Sequence, residues 1–293
     1  MKKGHAENTV GPWAAKKLDA LEGYLKAYLI ALNKQSFTKV YIDAFAGSCV
    51  SRIRSPDKQY IGTPLLDDAE NAAAQDQFLL GSPLRALAAG DGFSRYYFFD
   101  LDESRAETLR QLKETNFLKN IEVRVGDSNP LIVSLAKTLS KPNIRGVAFL
   151  DPYGPHLEWA TIEALAATKN VEVIINFPAA MAINRLITKS GNVPENWSKL
   201  LTACFGTDEW KSVAYNTTRD LFGQEIVSKN QDVAVKLLKL YLERLGKLFS
   251  CVATPRLIRN TRNAPLYYLI WAGPNKLGLK IADHILKQGD KVK

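Results

Sequence analysis

Cysteine, histidine and long apolar runs are all scarce in this sequence of 293 residues, and each scarcity excludes a class of protein or site. The three cysteines (Cys49, Cys204 and Cys251) lie far apart and are odd in number, so they form neither a disulfide framework nor a zinc module. The three histidines are isolated and lack the spacing of metal ligands, so we predict no metal site. No apolar run approaches the ~20 residues of a membrane span, and the N-terminus lacks the apolar stretch of a signal peptide. We therefore expect a cytoplasmic protein with no membrane partner.

The composition is that of a globular protein, with 46% hydrophobic and 24% charged residues. The length fits one large α/β domain with insertions or two small domains. Lysine and arginine outnumber aspartate and glutamate by 39 to 30, which gives a net charge of +9. This charge favours an anionic partner, nucleic acid first, although a basic surface that serves only solubility is an equal alternative.

A β-rich run at 40–42 leads into Asp43, and Phe45 and a turn of small residues around Gly47 follow. A chain that leaves a buried strand in this way turns tightly, and glycine allows backbone N–H groups to approach a ligand. Asp43 places a carboxylate at the carboxyl end of the strand, where open α/β sheets bind ligands. The stretch predicts a cofactor-binding turn, although strands followed by small-residue turns are common.

Two further strands end in acidic residues. The aromatic run 96–99 predicts a buried strand that stops at Asp100, which could accept both ribose hydroxyls of an adenosine cofactor. The alternative for Asp100 is an N-cap of the helix predicted at 103–114, a role that Asp102 fits better. The strand predicted at 121–125 ends near Asp127, which could accept a hydrogen bond from an adenine amino group or cap the following helix. Both roles of Asp127 remain open.

The apolar run 147–150 predicts a central strand that is covered on both faces. Asp151, the Pro152 carbonyl and the Tyr153 ring follow it at the carboxyl edge of the sheet. Transfer to a planar amine needs such groups, because acceptors orient the amine and a ring stacks against the base. The alternative is that Asp-Pro-Tyr-Gly serves only as a β-turn.

The stretch after the first turn is polar and rich in turn residues, and we predict an insertion at about 50–94 that is basic at its start. The basic residues are Arg52, Arg54 and Lys58. Within this stretch we predict Ser82 as the N-cap of a helix at 83–89. Before the first strand, the apolar periodicity of 12–32 predicts a helix, and we expect Lys16 and Lys17 to lie on its solvated face rather than to contact phosphate.

The C-terminal half continues the alternation of strands and helices. We predict a fifth buried strand at 170–178, which includes Asn176, and a helical insertion at about 187–248 with only short helices in 190–227. The other predicted elements are a long helix at 232–249, closing strands at 251–258 and 266–272, and a last helix at 279–287.

The five strand ends together resemble class I S-adenosylmethionine (SAM) methyltransferases, whose glycine motif D-x-F-x-G-x-G matches 43–49 except that Cys49 replaces the last glycine. This resemblance implies a Rossmann-like α/β fold with a seven-stranded, mostly parallel sheet, helices on both faces, and one domain over 1–293. At a finer level the chain is similar to the bacterial three-Cys-motif partner proteins (TcmP family). The matching stretches include Lys17-Leu18, 41–47, 81–87, 99–100, 151–154 and 267–271.

The resemblance implies SAM as the cofactor and a three-Cys-motif protein, encoded nearby, as the partner. The segment 151–154 also resembles the Asp-Pro-Phe-Gly of tRNA guanine dimethyltransferases. The implied cofactor residues are Asp43, Phe45 and Gly47 at the methionine end, Asp100 at the ribose and Asp127 at the adenine. The implied catalytic residues are Asp151, Pro152 and Tyr153.

We therefore predict an enzyme, a SAM-dependent methyltransferase that acts on a nitrogen of nucleic acid or a nucleotide together with a partner protein. The main alternative is a non-catalytic module that binds nucleic acid or the partner on a methyltransferase scaffold. A nuclease is less well supported, because the sequence shows no cluster of Asp, Glu and Lys with metal-binding spacing.

Overall fold

The computed structural model describes residues 9–53, 78–219 and 221–287. Much of the insertion predicted at about 50–94, including Arg54 and Lys58, lies outside the described residues.

Thirteen strands lie within the described ranges. They are β1 (Thr9–Val10), β2 (Thr38–Asp43), β3 (Val50–Ile53), β4 (Phe78–Leu80), β5 (Arg95–Asp100), β6 (Ile121–Val125), β7 (Ile144–Leu150), β8 (Val171–Phe177), β9 (Tyr215–Arg219), β10 (Glu225–Lys229), β11 (Cys251–Val252), β12 (Arg256–Arg259) and β13 (Pro265–Gly273).

Helices connect most of these strands, and a short π-helix (Ala179–Ile183) follows β8. The α-helices are α1 (Trp13–Ala31), α2 (Ser82–Ala88), α3 (Glu103–Thr115), α4 (Ser128–Leu139), α5 (Trp159–Ala167), α6 (Asn184–Leu186), α7 (Glu195–Phe205), α8 (Glu209–Ala214), α9 (Val233–Leu248) and α10 (Lys276–Lys287).

One large sheet organises the fold, with its strands in the order β6, β5, β2, β7, β8 and β13. The first five run parallel to one another, and β13 runs antiparallel to β8. Both β11 and β12 pair with the outer edge of β13 and so share one strand position. Seven positions result, and the last strand of the chain is antiparallel, as the resemblance to methyltransferases implied. The predicted α/β class with a mostly parallel sheet is confirmed.

Side chains of the sheet alternate between two core layers, because successive residues of a strand point to opposite faces. Val40 and Ile42 pack in the layer of α4, α5 and α9, whereas Tyr41 packs in the layer of α1, α2 and α10. All residues of β8 are buried, as expected for a parallel strand that helices cover on both faces. Helices therefore flank both faces of the sheet.

Three local predictions were wrong. The interval 190–227 holds a β-hairpin of β9 and β10 in addition to short helices, and most of the hairpin's residues are exposed. Ser82 does not cap α2, because Gly81 occupies the N-cap position and no side chain bonds there. The strand predicted at 251–258 is broken into β11 and β12.

Candidate cofactor and substrate site

The predicted acidic strand ends meet at one edge of the sheet. Asp43 ends β2, Asp100 ends β5, and Asp151 directly follows β7. β2 lies between β5 and β7, and from β2 the chain first adds strands on one side and then on the other. Such a reversal of strand order opens a crevice at the carboxyl ends of the strands, which is the usual ligand site of an open α/β sheet.

Asp43 is completely buried at this edge. Its Oδ2 accepts a hydrogen bond of 3.2 Å from the Tyr41 hydroxyl, whereas Oδ1 has no hydrogen-bond partner among the described residues. Burial raises the pKa of Asp43 to about 7, and the neighbouring Asp151 carboxylate adds to the rise. The Ser82 and Tyr41 hydroxyls and the Lys17 ammonium act in the opposite direction. Asp43 therefore offers one buried oxygen that can still accept a hydrogen bond.

The turn after β2 depends on Gly47, whose φ of 61° is in the left-handed region. A Cβ at this position would meet only the carbonyl oxygen of Phe45, at 3.7 Å, so the backbone conformation and not crowding requires glycine. Phe45 is half-buried and packs against the core layer of α4 and α5. The Gly47 N–H donates a 2.8 Å hydrogen bond to Oδ2 of Asp100, which ties the turn to the end of β5.

Asp100 is surrounded by donors from its own chain. Its Oδ1 accepts hydrogen bonds from the Asp102 backbone N–H (2.8 Å) and from Nε (3.0 Å) and Nη2 (2.9 Å) of Arg105. The Asp100 side chain is 4% exposed, whereas the Arg105 side chain is 46% exposed. A ligand group that bonds to Asp100 would therefore compete with these donors, of which the Arg105 side chain is the most exposed. Asp102 is the N-cap of α3, as predicted, and accepts from the Arg105 backbone N–H.

Asp127 caps α4, which is one of its two predicted roles. Its Oδ1 accepts from the backbone N–H (2.9 Å) and the Nδ2 (3.1 Å) of Asn129. Because the Asp127 side chain is exposed, the contact with adenine stays a prediction beside the cap.

Asn129 holds the loop that follows Asp151. Its buried side chain donates to Asp127 and to the His156 carbonyl, and it accepts from the Glu158 N–H and the Thr161 hydroxyl. Both the donor and the acceptor ends of the amide are thus engaged. The sequence analysis did not identify Asn129, because three of its four partners lie 27 to 32 positions further along the chain.

Asp151 is held by two side chains from distant elements. Its Oδ2 forms an ion pair with Nζ of Lys17 from α1, and its Oδ1 accepts a 2.6 Å hydrogen bond from Asn176 of β8. The Lys17 side chain is only 12% exposed, so its predicted position on a solvated face was wrong. Pro152 is buried, whereas Tyr153 is 93% exposed and presents its ring to solvent.

Unpartnered polar atoms gather around this ion pair. The buried Asn176 Oδ1 and the buried Tyr267 hydroxyl have no hydrogen-bond partner in the described part of the chain, as is also true of Asp43 Oδ1. Nζ of Lys17 lies 5.5 Å from the centroid of the Tyr267 ring. Burial, and then the charge of Asp151, raise the pKa of Tyr267, which keeps its hydroxyl protonated. Buried polar atoms are usually paired, so this cluster is suited to receive polar groups of a ligand.

Cys49, which stands in place of the last motif glycine, is buried in the core layer of α1 and α2. Burial raises the pKa of its thiol to about 11, so the group stays protonated. Its carbonyl accepts a 2.7 Å hydrogen bond from Gly81. The side chain is part of the core packing.

Other kinds of site find less support in residues 9–53, 78–219 and 221–287. No group of His, Cys, Asp or Glu side chains there could hold a metal ion, and no helix there is long and apolar enough to cross a membrane. A cavity of about 50 Å³ lies near the opposite edge of the sheet, beside Tyr28, Arg145 and Glu172. It has room for a few water molecules and not for a nucleoside.

No protein-family model and no curated protein match the chain. Among solved structures, protein LPL1258 of Legionella pneumophila, from the DUF519 family, is similar over 89% of this chain and 98% of its own, with 15% identity and a TM-score of 0.40. The N-terminal domain of EvdMO1 with SAH bound is similar over 87% and 81%, with 12% identity and a TM-score of 0.38. The bifunctional kinase-methyltransferase WbdD is similar over 89% of this chain but 39% of its own, with 13% identity and a TM-score of 0.42.

Proposed function

We propose that the protein is a SAM-dependent methyltransferase that modifies a nitrogen of nucleic acid or a nucleotide. The observation that carries this proposal is the meeting of Asp43, Asp100 and Asp151 at the point where the strand order of the sheet reverses. Three acidic strand ends at one edge of the sheet supply acceptors for a ligand that is rich in hydroxyl and amino groups.

The residues at this edge fit an adenosyl cofactor. The turn at Gly47 is not crowded by side chains, and the unpartnered Oδ1 of Asp43 suits the amino group of a methionine moiety. Asp43, Phe45 and Gly47 would hold that moiety. Asp100 would accept the ribose hydroxyls once the exposed Arg105 moves aside, and Asp127 would use its remaining oxygen for the adenine amino group.

SAM, when bound, would supply a methyl group on a sulfonium: the nitrogen lone pair would form the N–C bond as the S–C bond to the SAH product breaks, and the methylated nitrogen would pass its proton to the Asp151 carboxylate. The protein contributes to catalysis by positioning the target nitrogen. A carboxylate has about four lone-pair sites, so Asp151 can accept from an amine while Asn176 stays bonded. The Pro152 carbonyl is the second acceptor. A base that stacks on the exposed Tyr153 ring would gain about 1–3 kcal/mol.

A polyanionic substrate agrees with the net charge of +9, because such a charge steers anions toward the protein. The proposal includes a three-Cys-motif partner protein, which rests on the resemblance in sequence.

Replacement of Asp151 tests the proposed chemistry. We expect Asp151→Asn to lower methyl transfer by about 100-fold or more, because an amide orients an amine poorly and cannot accept its proton. Transfer from tritiated SAM to unfractionated RNA, denatured DNA and free nucleotides measures this effect. Asp91→Asn is the matched control, because it also breaks an Asp–Lys pair, with Lys119, but on the exposed surface. Equal transfer by Asp151→Asn and wild type would contradict the assignment.

A second candidate function is a binding module that has lost cofactor affinity. The saturation of Asp100 by Gly47, Asp102 and Arg105 favours it, since those contacts compete with a ribose. In that case the folded protein binds nucleic acid or its partner but does not bind S-adenosylhomocysteine (SAH).

A further inference from the structure

Lys17 lies between the two halves of the proposed site. It forms an ion pair with Asp151 on the substrate side, and its charge also acts on Asp43 on the cofactor side. α1, which carries Lys17, precedes the sheet in the chain, and the Lys17 side chain reaches the carboxyl edge over the Tyr267 ring. No other lysine forms an ion pair with the proposed site residues within the described ranges.

A lysine that is 12% exposed needs an anion beside it, because its charge has lost most of its hydration. Asp151 is that anion in the structure. Asp43 stabilises the Lys17 charge less than Asp151 does, because burial raises the pKa of Asp43 to about 7 and so reduces its negative charge near neutral pH. A second anion that entered beside Lys17 would therefore compete directly with Asp151 for the ammonium group.

The methionine moiety of the cofactor would bring both a carboxylate and an ammonium group to the cluster around Lys17 and Asp151. The ammonium group requires acceptors, and the buried, unpartnered Oδ1 atoms of Asp43 and Asn176 provide them. The carboxylate requires a cation, and Lys17 is within reach of the same cluster.

We propose that Lys17 binds the methionine carboxylate of the cofactor and that it leaves Asp151 to do so. This inference rests on the proposed function and extends it. The exchange frees Oδ2 of Asp151 from the ion pair, so the carboxylate can orient the target amine with an oxygen that Lys17 no longer occupies. Lys17 is thus a positioning residue that couples cofactor binding to the orientation of the target amine by Asp151.

The test compares two ligands on matched variants by calorimetry. SAH carries the methionine carboxylate, whereas 5′-methylthioadenosine has the same nucleoside and no carboxylate. We expect Lys17→Met to weaken SAH binding about tenfold or more, the worth of a hydrogen bond between charged groups, and to leave methylthioadenosine binding unchanged. Lys16→Met removes the same charge from the exposed neighbouring position and should change neither affinity.

A double-mutant cycle tests the exchange itself. Asp151→Asn should strengthen SAH binding severalfold, because Lys17 no longer has a competing anion, and should have no such effect when Lys17 is already methionine. The double variant also removes the buried charge that Lys17→Met leaves unpaired, so a folded protein is available for the comparison.

Three outcomes would overturn the inference, and they are distinguishable. SAH binding that Lys17→Met leaves intact removes Lys17 from the cofactor site while the proposed function stands. If Lys17→Met weakens the binding of both ligands equally, Lys17 supports the structure of the site and does not bind the carboxylate. No SAH binding by folded wild-type protein overturns the proposed function and this inference together.

Discussion

At the scale of one residue, the burial of Asp43 lowers the stability of the fold when this carboxyl group is ionised. A carboxyl group without exposed surface is stabilised in its neutral form, and the nearby hydroxyls of Ser82 and Tyr41 compensate only part of the lost hydration. Folding therefore takes up a proton at Asp43 when the pH lies between the ordinary pKa of an aspartate and about 7.

We expect this proton uptake to appear in stability. A raised pKa in the folded state means that the stability is fully present below the unfolded pKa and falls as the pH rises toward about 7. The shift from 3.8 corresponds to roughly 4 kcal/mol at most. Asp43→Asn removes this titrating group. The free energy of unfolding of the variant, relative to that of wild type, should therefore rise as the pH increases from 4 to 7. Urea unfolding of both proteins across that range measures the difference, and parallel curves would contradict the raised pKa.

The roles of some single residues could not be predicted from the sequence, because these roles depend on distant partners. Lys17 and Asp151 are 134 positions apart, and nothing in the local pattern of α1 distinguishes Lys17 from Lys16. Arg105 was an ordinary residue of a predicted helix, although its side chain reaches back to Asp100.

At the scale of elements, α4 and α5 are joined to the site through Asn129. The link uses four side-chain hydrogen bonds, which reach from the N-cap of α4 to the start of α5 and the carbonyl of His156. The loop after Asp151 thus depends on the two helices for its position.

We expect Asn129→Ala to lower the free energy of unfolding by about 2–4 kcal/mol, because it leaves buried donors and acceptors without partners. Thr161→Val is the matched control, since it removes one of the same bonds and should cost about 1–2 kcal/mol. Denaturant unfolding measures both variants. A cost for Asn129→Ala no larger than that for Thr161→Val would show that the amide does not organise the loop.

Elements with strong periodicity could be predicted, and elements without it could not. α1, α3 and α9 occupy nearly the predicted positions, because each turns an apolar face toward the sheet. The hairpin of β9 and β10 has mostly exposed residues, so no alternation of buried and exposed positions indicated it.

At the scale of the whole molecule, the order of the strands does most to define the site. The sequence predicted the strands and their acidic ends, but not which strands are neighbours. Pairing of β2 with both β5 and β7 brings Asp43, Asp100 and Asp151 to one edge of the sheet, and only the folded sheet shows this. The roles of Phe45, Asp127 and Tyr153 in ligand binding stay predictions.

Titration of the purified protein with SAH by calorimetry tests the central claim most directly. We expect wild type to bind with a dissociation constant on the order of micromolar. Asp100→Asn should weaken binding at least about tenfold, because a ribose loses its charged acceptor. Asp102→Asn should bind as wild type does, since asparagine also caps a helix. Absence of binding by folded wild type, or equal binding by Asp100→Asn, would contradict the cofactor site.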